Sequence, residues 1–437
     1  MSTTLTARPT PAEDNKLRLA DRAVHDWYRF VLAFPPHLVR DYLARFGVEP
    51  GQQVLDPFCG TGTTLVECKK RGIASLGLDA NPIAQFAARV KTDWQPDPAG
   101  LLAHARAVAA TAEEHLAADG IEDNPLRPLD SLPALQTLPP AAAALLLKGS
   151  ISPLPLHKTL VLLDCLDRHA DARYADHERL ALAKAVVQQA SNLRFGPEVG
   201  VGPAKADAPV VSAWLAEVRS ISEDLAVVPA NRAACAQVWA QDARHLPGAI
   251  PLQSIDAVIT SPPYPNEKDY TRATRLESVL LGFITDRADL RRLKQGLLRS
   301  NTRNVYKGDD DGQWIAAFPE IAQLAAQIEA RRIELGKTSG FERLYGTVTR
   351  LYFGGMARHL AALRPLLRPG AHLAYVVGDQ ASYFRVPIRT GHLLATIAAS
   401  LGYTLVSIDL FRTRLSTATG DQLREEVVVL RWPGGTY

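Results

Sequence analysis

The chain contains 437 residues, of which 47% are hydrophobic and 22% are charged, a composition ordinary for a globular protein of one large domain or two. The formal net charge is only +3, so a surface for a nucleic acid would have to be a local patch. No apolar run approaches the ~20 residues of a membrane helix, and the four cysteines match neither a zinc site nor a disulfide framework. We therefore expect a cytoplasmic protein with a flexible polar tail over residues 1–20.

The first motif occupies residues 54–64, Val-Leu-Asp-Pro-Phe-Cys-Gly-Thr-Gly-Thr-Thr. This order is typical of a strand, a glycine turn and the start of a helix. Gly60 and Gly62 allow positive φ angles and a close approach of the backbone to a ligand. Thr63 or Thr64 is placed to cap the helix, whose start favours a bound carboxylate or phosphate.

A second apolar strand is predicted over residues 74–79 and ends in Asp79. Its separation from Gly62 is close to the ~20 residues expected of an acid that binds the ribose hydroxyls of a nucleotide cofactor. A dinucleotide fingerprint would have Gly or Ala where this chain has Leu65. The pattern therefore argues against a nicotinamide cofactor.

The next strand is delayed by an inserted region, roughly residues 97–229, which is rich in alanine and leucine. Its periodicity predicts helices near 99–118, 155–168 and 174–192. We expect these helices to pack on the core as a lid. A loop with several glycines and prolines follows them, and in it Arg194 beside Phe195 is a candidate contact for a pocket or a nucleic acid.

The apolar run 255–259 ends in Thr260-Ser261-Pro262-Pro263-Tyr264. Pro262 and Pro263 fix their φ angles and remove backbone donors, so the loop offers mainly acceptors: the Ser261 hydroxyl and the Ser261 and Pro262 carbonyls. Acceptors of this kind suit the N–H bonds of an exocyclic amine on cytosine or adenine. Tyr264 can stack on the base, which is typically worth ~1–3 kcal/mol.

A second insertion, residues 265–350, directly follows this loop. Its stretch 285–307 is strongly basic, and we predict that it contacts phosphates, while Asn301 and Asn304 suit base edges. The acidic triplet 309–311 predicts a solvent loop rather than a metal site. The basic candidates are Arg291, Arg292, Lys294, Arg299 and Arg303.

Together, the glycine turn from Asp56 to Thr64 and the loop Thr260–Tyr264 resemble the amino-group DNA methyltransferases of restriction–modification systems. Among these enzymes, Ser-Pro-Pro-Tyr is most similar to the N4-cytosine type, because N6-adenine enzymes more often have Asp or Asn at the first position. The resemblance implies a catalytic loop of Ser261, Pro262, Pro263 and Tyr264. It implies S-adenosylmethionine as cofactor, no metal, and a cofactor site formed by Phe34, Pro36, Asp56, Phe58, Gly60, Gly62, Thr63, Asp79 and Asp242.

Alternating helix and strand signals predict an α/β fold with a mostly parallel sheet. The strands are predicted near 53–57, 74–79, 237–241, 255–260, 371–378, 404–410 and 426–432. The resemblance implies a seven-stranded Rossmann-like methyltransferase sheet with helical insertions and a reversed final hairpin. We expect the methyltransferase core to comprise residues 21–96, 230–264 and 351–437.

The expected function is site-specific methylation of the N4 amine of a flipped-out cytosine in double-stranded DNA, with a separate cognate restriction endonuclease as partner. The alternatives are an N6-adenine enzyme, an RNA or protein amide methyltransferase, and a non-catalytic DNA-binding subunit. A C5-cytosine mechanism needs a thiolate nucleophile, and no cysteine lies in the loop Ser261–Tyr264. The identity of the methylated base separates the expected N4-cytosine enzyme from the N6-adenine alternative.

Overall fold

The computed structural model describes residues 15–30, 33–125, 134–196, 198–228, 234–415, 420 and 422–435. Most of the predicted tail, up to residue 14, lies outside the described residues. Helices and strands alternate around one central sheet, so the predicted α/β fold class is confirmed.

Nine strands occur in the described chain. In chain order they are β1 (Gln53–Asp56), β2 (Ala74–Asp79), β3 (Leu193–Phe195), β4 (Val199–Val201), β5 (Ala236–Ala240), β6 (Ile255–Thr260), β7 (Leu367–Gly378), β8 (Thr404–Leu415) and β9 (Gln422–Arg431). Seven of them form the central sheet in the order β5-β2-β1-β6-β7-β9-β8, and β3 pairs with β4 in a separate hairpin. All neighbours from β5 to β7 are parallel, and β9 is antiparallel to both β7 and β8.

The central strands are almost continuously apolar because both faces of the sheet are covered. Successive side chains of a strand point to opposite faces. On one face, the side chains of Leu55 and Val258 pack in an apolar cluster with a helix that begins at Tyr345. On the other face, Val54 and Ile259 pack in a second cluster, which includes Leu38. The inner strands therefore have no polar face from which a periodicity of two could be recognised.

The first four predicted strands match the observed positions closely, β7 begins at Leu367 rather than at the predicted residue 371, and the C-terminal pair differs further. We predicted these two strands at 404–410 and 426–432, but β8 extends to Leu415 and β9 begins at Gln422. The extension projects beyond Gly378, the last residue of β7 that pairs with β9. Charged side chains occupy it, including an ion pair between Arg412 and Glu425. This polar two-stranded ribbon lacks the apolar pattern used for the prediction.

Fourteen α-helices occur in the described residues, and none of them is long and apolar enough to cross a membrane. They are α1 (Pro36–Arg45), α2 (Thr63–Lys70), α3 (Pro82–Lys91), α4 (Pro98–Ala118), α5 (Pro140–Ala143), α6 (Pro153–Arg168), α7 (Ala175–Ala185), α8 (Val211–Val227), α9 (Tyr270–Ala273), α10 (Arg275–Leu280), α11 (Arg287–Gly296), α12 (Pro319–Glu334), α13 (Tyr345–Leu363) and α14 (Thr390–Ser400). Proline at the first position of several helices fits the preset φ angle of that position.

The first insertion is helical, as predicted, but its third helix is shorter than expected. Instead of continuing to residue 192, α7 ends at Ala185 and a π-helical turn follows over Val186–Ala190. Helices α4, α6, α7 and α8 share one apolar cluster with Trp27 and with Phe86 of α3. The Trp27 indole N–H also donates to Asp224 of α8 at 2.7 Å. The insertion is thus packed firmly against the N-terminal part of the core.

The second insertion is divided between core and surface. Ile321 and Ile328 of α12 are buried against α13, in the cluster that covers one face of the central sheet. In contrast, no residue of α11 is buried. Its apolar side chains Leu290 and Leu293 pack only partly against a small cluster with Val279 and Ile284.

Candidate active site

The carboxyl ends of β1, β2, β6 and β7 lie at one edge of the sheet, where parallel α/β sheets bind their ligands. The glycine turn follows β1, Asp79 ends β2, and the loop Ser261–Tyr264 follows β6. A buried hydrogen bond of 2.6 Å joins the first and third of these, from the Thr260 hydroxyl to Asp56 Oδ1. The two motifs that are far apart in sequence are therefore adjacent in the fold.

The glycine turn depends on left-handed backbone at Gly60 (φ 51°) and Gly62 (φ 82°). A Cβ at Gly62 would lie 3.0 Å from the Cα of Ala88. The predicted threonine cap is wrong: Gly62 is the N-cap residue of α2, and no side chain caps the helix. The Thr64 hydroxyl instead donates to the Ile259 carbonyl at 3.1 Å. The start of α2 thus remains without a side-chain partner.

Two carboxylates flank this turn. Asp79 accepts from the backbone N–H groups of Gly60 at 2.9 Å and of Asn81 at 2.7 Å. Asp56 is fully buried; its Oδ1 also accepts from the Phe58 N–H, and its Oδ2 has no hydrogen-bond partner among the described residues. Burial raises the pKa of Asp56 to about 7 and that of Asp79 to about 6.

The remaining predicted cofactor residues have varied surroundings. The Phe58 ring meets the buried His359 edge-on, with centroids 5.0 Å apart. Phe34 packs partly against the apolar cluster beneath β1 and β6, and Pro36 is buried at the first position of α1.

Both oxygens of Asp242, another predicted cofactor residue, accept hydrogen bonds from Arg244, whose guanidinium also contacts Asp311. The last contact places part of the acidic triplet, which we predicted to be a solvent loop, in a buried ion pair. That prediction is wrong for Asp311, because the side chain neutralises a buried guanidinium.

His359 is a buried neutral imidazole rather than a base. Its Nδ1–H donates to the Ala243 carbonyl at 2.8 Å, and its Nε2 accepts from the Tyr375 hydroxyl at 2.8 Å. Burial lowers the pKa of this imidazole to about 4. Both nitrogens are committed, so the residue supports Phe58 and β7 from below.

The loop Ser261–Tyr264 is fixed at both ends. The Ser261 hydroxyl donates to the Val376 carbonyl of β7 at 3.1 Å, which leaves its oxygen free to accept. The Tyr264 N–H donates to the Tyr270 hydroxyl at 3.3 Å. The Tyr264 ring lies directly on Gly378, where a Cβ would be only 2.8 Å from a ring carbon. Burial raises the pKa of the Tyr264 hydroxyl, so the ring is neutral at physiological pH.

The basic candidates of the second insertion differ in burial, and several of them, including Arg292 with Asp289, form ion pairs. Arg299 is 4% exposed and forms a two-point ion pair with Asp309, so its assignment to DNA contact is wrong. Lys294 is held by Asp269 at 2.7 Å. Arg291, Arg292 and Arg303 are exposed, as is Arg194 on β3.

Asn301 and Asn304 are likewise not available for base edges, because both are buried. The Asn301 side chain donates to the Lys268 carbonyl at 3.0 Å and accepts from the Arg303 N–H at 3.0 Å. A run of basic residues predicted an exposed surface, but local turn formation turns these amides inward.

Several residues around the loop Ser261–Tyr264 were not predicted. Gly378 supports Tyr264, and Arg414 of the β8–β9 ribbon donates to the Asp379 carbonyl at 2.8 Å. Arg414 also faces Glu425, with 3.5 Å between Nε and Oε1. The sequence offered one sign of Gly378, because the pair Gly378-Asp379 stands at the end of an apolar strand. It offered no sign of Arg414, because this residue lies in the part of β8 beyond the apolar run from which the strand was predicted.

Comparison with known proteins agrees with this geometry. A family model described as a DNA methylase of the N6/N4 methyltransferase type matches residues 12–88, which include the glycine turn and Asp79. The type II methyltransferase M.BsoBI of Geobacillus stearothermophilus is 24% identical over 94% of this chain and 84% of its own length. M.AvaI of a Nostoc species is 23% identical over 93% and 86%, respectively. M.MjaII of Methanocaldococcus jannaschii is 44% identical over 69 residues, which are 16% of this chain and 13% of that protein.

Residues 12–88 thus match the N6/N4 DNA methylase family model, and almost the whole chain is similar to type II DNA methyltransferases. No group of three or more His, Cys, Asp or Glu side chains within the described ranges could hold a metal ion. The acidic side chains of the site, Asp56 and Asp79, are instead tied to backbone and hydroxyl donors at the glycine turn.

The contact between Gly378 and Tyr264 predicts that Gly378→Ala displaces the tyrosine ring. We expect methyl transfer to fall at least about tenfold, because misplacement of a positioning group is costly, while cofactor affinity measured by calorimetry is retained. Gly248→Ala is the control, since a Cβ there meets nothing within 4 Å. Equal activity of the two variants would contradict the supporting role of Gly378.

The burial of Arg299 predicts a structural role. Arg299→Ala leaves Asp309 without its partner, so we expect the free energy of unfolding to fall by about 3–5 kcal/mol, measured by urea denaturation. Arg292→Ala removes a side chain that is 75% exposed and should change stability by no more than about 0.5 kcal/mol. A stable Arg299→Ala variant that has lost DNA binding would restore the original assignment.

Proposed function

We propose that this methyltransferase moves a methyl group from S-adenosylmethionine to the exocyclic N4 amine of a cytosine flipped out of double-stranded DNA. The observation that carries the proposal is the loop Ser261–Tyr264, an acceptor-rich loop held beside the glycine turn by the hydrogen bond between Thr260 and Asp56. The Ser-Pro-Pro-Tyr sequence favours cytosine N4 over adenine N6.

The residues at the glycine turn fit S-adenosylmethionine. Buried polar atoms without partners in the described chain, Asp56 Oδ2 and Thr61 Oγ1, lie in this turn. Gly62 has no side chain to block the approach, and the uncapped start of α2 favours the methionine carboxylate. We infer that Asp79 accepts hydrogen bonds from the ribose hydroxyls. We also infer that Asp242 accepts from the adenine amino group and shares its oxygens with Arg244.

The loop residues act by positioning the target amine. When bound, S-adenosylmethionine supplies an electrophilic methyl group on a sulfonium. The lone pair of a base amine is delocalised into the ring, and acceptors on its N–H bonds direct it towards attack. We assign this role to the Ser261 hydroxyl oxygen and the Pro262 carbonyl, with Tyr264 as the stacking surface and Pro263 as a rigid spacer. The attacked amine becomes strongly acidic, so no strong general base is required.

We propose that exposed basic side chains contact the DNA from two sides. Arg291, Arg292 and Arg303 belong to the second insertion, and Arg194 belongs to the β3–β4 hairpin of the first. The negative charge of Glu198, between the two strands of this hairpin, acts to raise the pKa of Lys268 and of Tyr270. These two residues closely follow the loop Ser261–Tyr264 in the chain, so the hairpin is near that loop. We further propose that a cognate restriction endonuclease is a separate chain.

Incubation with methyl-labelled S-adenosylmethionine and DNA of mixed sequence, followed by mass spectrometry of the nucleosides, tests the proposal. We expect labelled N4-methylcytosine. Labelled N6-methyladenine would assign the same loop to adenine, and the absence of any labelled DNA nucleoside would contradict the proposed activity.

The stacking role of Tyr264 predicts a graded series of variants. Tyr264→Ala should lose methyl transfer, by about tenfold or more for the ~1–3 kcal/mol of a base stack, while Tyr264→Phe should retain most of it. Ser261→Ala should also lose activity, and each variant should still bind the cofactor in calorimetry. If Tyr264→Phe were as inactive as Tyr264→Ala, the hydroxyl would carry the chemistry.

The raised pKa of Asp79 predicts a pH dependence of cofactor binding. The ionised carboxylate is the acceptor, so affinity should be full above a pH of about 6 and should fall by up to about tenfold per pH unit below it. Asp79→Ala should bind at least about tenfold more weakly, since hydrogen bonds to charged groups contribute ~1.5–3 kcal/mol. Asp79→Asn serves as the control, because it should lose most of this pH dependence in calorimetry.

A further inference from the structure

The loop between β7 and α14, residues 379–389, leaves the same edge of the sheet as the loop Ser261–Tyr264. Its first neighbour, Gly378, touches the Tyr264 ring. The loop is closed at its base, where Gln380 and Ile388 exchange two backbone hydrogen bonds of 3.0 and 2.7 Å. It is therefore a short, anchored element beside the site of methyl transfer.

The tip of this loop, half-way between Gln380 and Ile388, has an unfavourable backbone conformation. Phe384 and Arg385 are consecutive non-glycine residues with φ angles of 54° and 65°. Five non-glycine residues of the described chain have positive φ, and Glu267 (φ 65°), three residues after the loop Ser261–Tyr264, is another of them. Such strain persists only where the surroundings enforce it, and it concentrates at functional sites.

Aromatic packing enforces the strained turn. Tyr383 is fully buried, stacks on Tyr345 with centroids 4.5 Å apart, and donates its hydroxyl to the Ser300 carbonyl at 3.2 Å. The Phe384 ring packs on the same tyrosine at 5.0 Å. Because both aromatic residues are held, the next residue, Arg385, must point away from the core, and it is exposed.

Two other exposed arginines, Arg303 and Arg389, belong to this region. Burial raises the pKa of Asp379, and Arg389 opposes this shift, which places Arg389 near the start of the loop. Burial likewise raises the pKa of Glu267, and Arg303 opposes it, while Arg303 also acts on Tyr345. Arg303 acts on Tyr345, the ring against which Phe384 packs, and Arg385 follows Phe384 in the chain. Arg389 is the last residue of the same loop.

Their side chains are free, unlike other cations at this edge. Arg303, Arg385 and Arg389 have no side-chain hydrogen bond or ion pair within the described ranges. By contrast, other cations form ion pairs with carboxylates: Lys294 with Asp269, Arg299 with Asp309, Arg412 and Arg414 with Glu425, and Arg424 with Glu426. A phosphate gains most from a cation that no carboxylate already holds.

We propose that Arg385 and Arg389, together with Arg303, form a phosphate-binding surface that holds double-stranded DNA beside the loop Ser261–Tyr264. The strained turn at Phe384 and Arg385 fixes the central arginine of this surface. The inference rests on the proposed function, since it takes DNA as the substrate. It assigns a positioning role to a loop whose sequence shows neither a basic run nor a known motif.

Binding of the full chain to a labelled DNA duplex of mixed sequence, measured over a range of salt concentrations, tests this surface. In Arg385→Gln/Arg389→Gln, we expect affinity at low salt to fall at least about tenfold and the slope of log affinity against log salt to flatten by about 0.9 per lost contact. Arg303→Gln should flatten it by one further contact. Arg106→Gln/Arg219→Gln, which removes the same charge from exposed sites on α4 and α8, should keep the slope.

Two further variants separate charge from strain. Arg385→Lys keeps the charge and should keep most of the slope. Arg385→Gly removes the charge and relieves the positive φ, so it should bind as weakly as Arg385→Gln but unfold at a higher temperature. An unchanged slope in Arg385→Gln/Arg389→Gln overturns the proposed surface. Unfolding of Arg385→Gly at or below the temperature of Arg385→Gln would overturn the role of strain.

The outcome is independent of the test of methyl transfer. If the wild type labels DNA and the double variant keeps its slope, the surface is wrong and the proposed function stands. If the wild type labels no nucleoside but its DNA binding depends on these arginines, the proposed function is wrong and the surface stands.

Discussion

The buried hydrogen bond between the Thr260 hydroxyl and Asp56 Oδ1 is the interaction on which the site depends. It joins the end of β1 to the end of β6, across residues separated by 204 positions in the chain. Two further bonds continue the connection, from Thr64 to the Ile259 carbonyl and from Ser261 to the Val376 carbonyl. Three hydroxyl groups thus bind β1, α2, β6 and β7 into one frame. Buried bonds of this kind are costly to break, because the partner left behind is unsatisfied.

This frame explains how the chain accommodates two large insertions without loss of the site. The first insertion packs through α4, α6, α7 and α8 against α3 and the N-terminal segment. The second places α12 against α13 and leaves α11 on the surface. Neither insertion interrupts the bonds between β1, β6 and β7. The insertions add surfaces around the carboxyl edge, while the edge itself is fixed by the parallel strands.

Electrostatics at this edge is decided by pairing rather than by composition. The net charge of the chain is small, and several of its arginines and lysines neutralise nearby carboxylates. Arg299, buried with Asp309, stabilises the fold, whereas Arg385 is exposed on a loop with no local basic run. A cation that is paired with a nearby carboxylate therefore contributes to the fold, whereas an unpaired one is available to bind a ligand.

Sequence alone determined the α/β class, the approximate strand positions and the two central motifs. Continuous apolar runs require a sheet buried on both faces, and the turns at Gly60 and Gly62 require positive φ. The roles expected of Asp79 and of the loop Ser261–Tyr264 were inferred from residue type and from their position at the ends of predicted strands.

Only the tertiary structure decided which side chains are free. It showed that Gly62 rather than a threonine is the N-cap of α2, that Arg299, Asn301 and Asn304 are buried, and that Gly378 supports Tyr264. It also showed that β8 continues through charged residues to Leu415, and that the loop with the strained turn at Arg385 follows Gly378, the glycine that contacts Tyr264. Each of these features depends on contacts between residues that are distant in sequence. A local sequence pattern contains no information about the distance in space between two such residues.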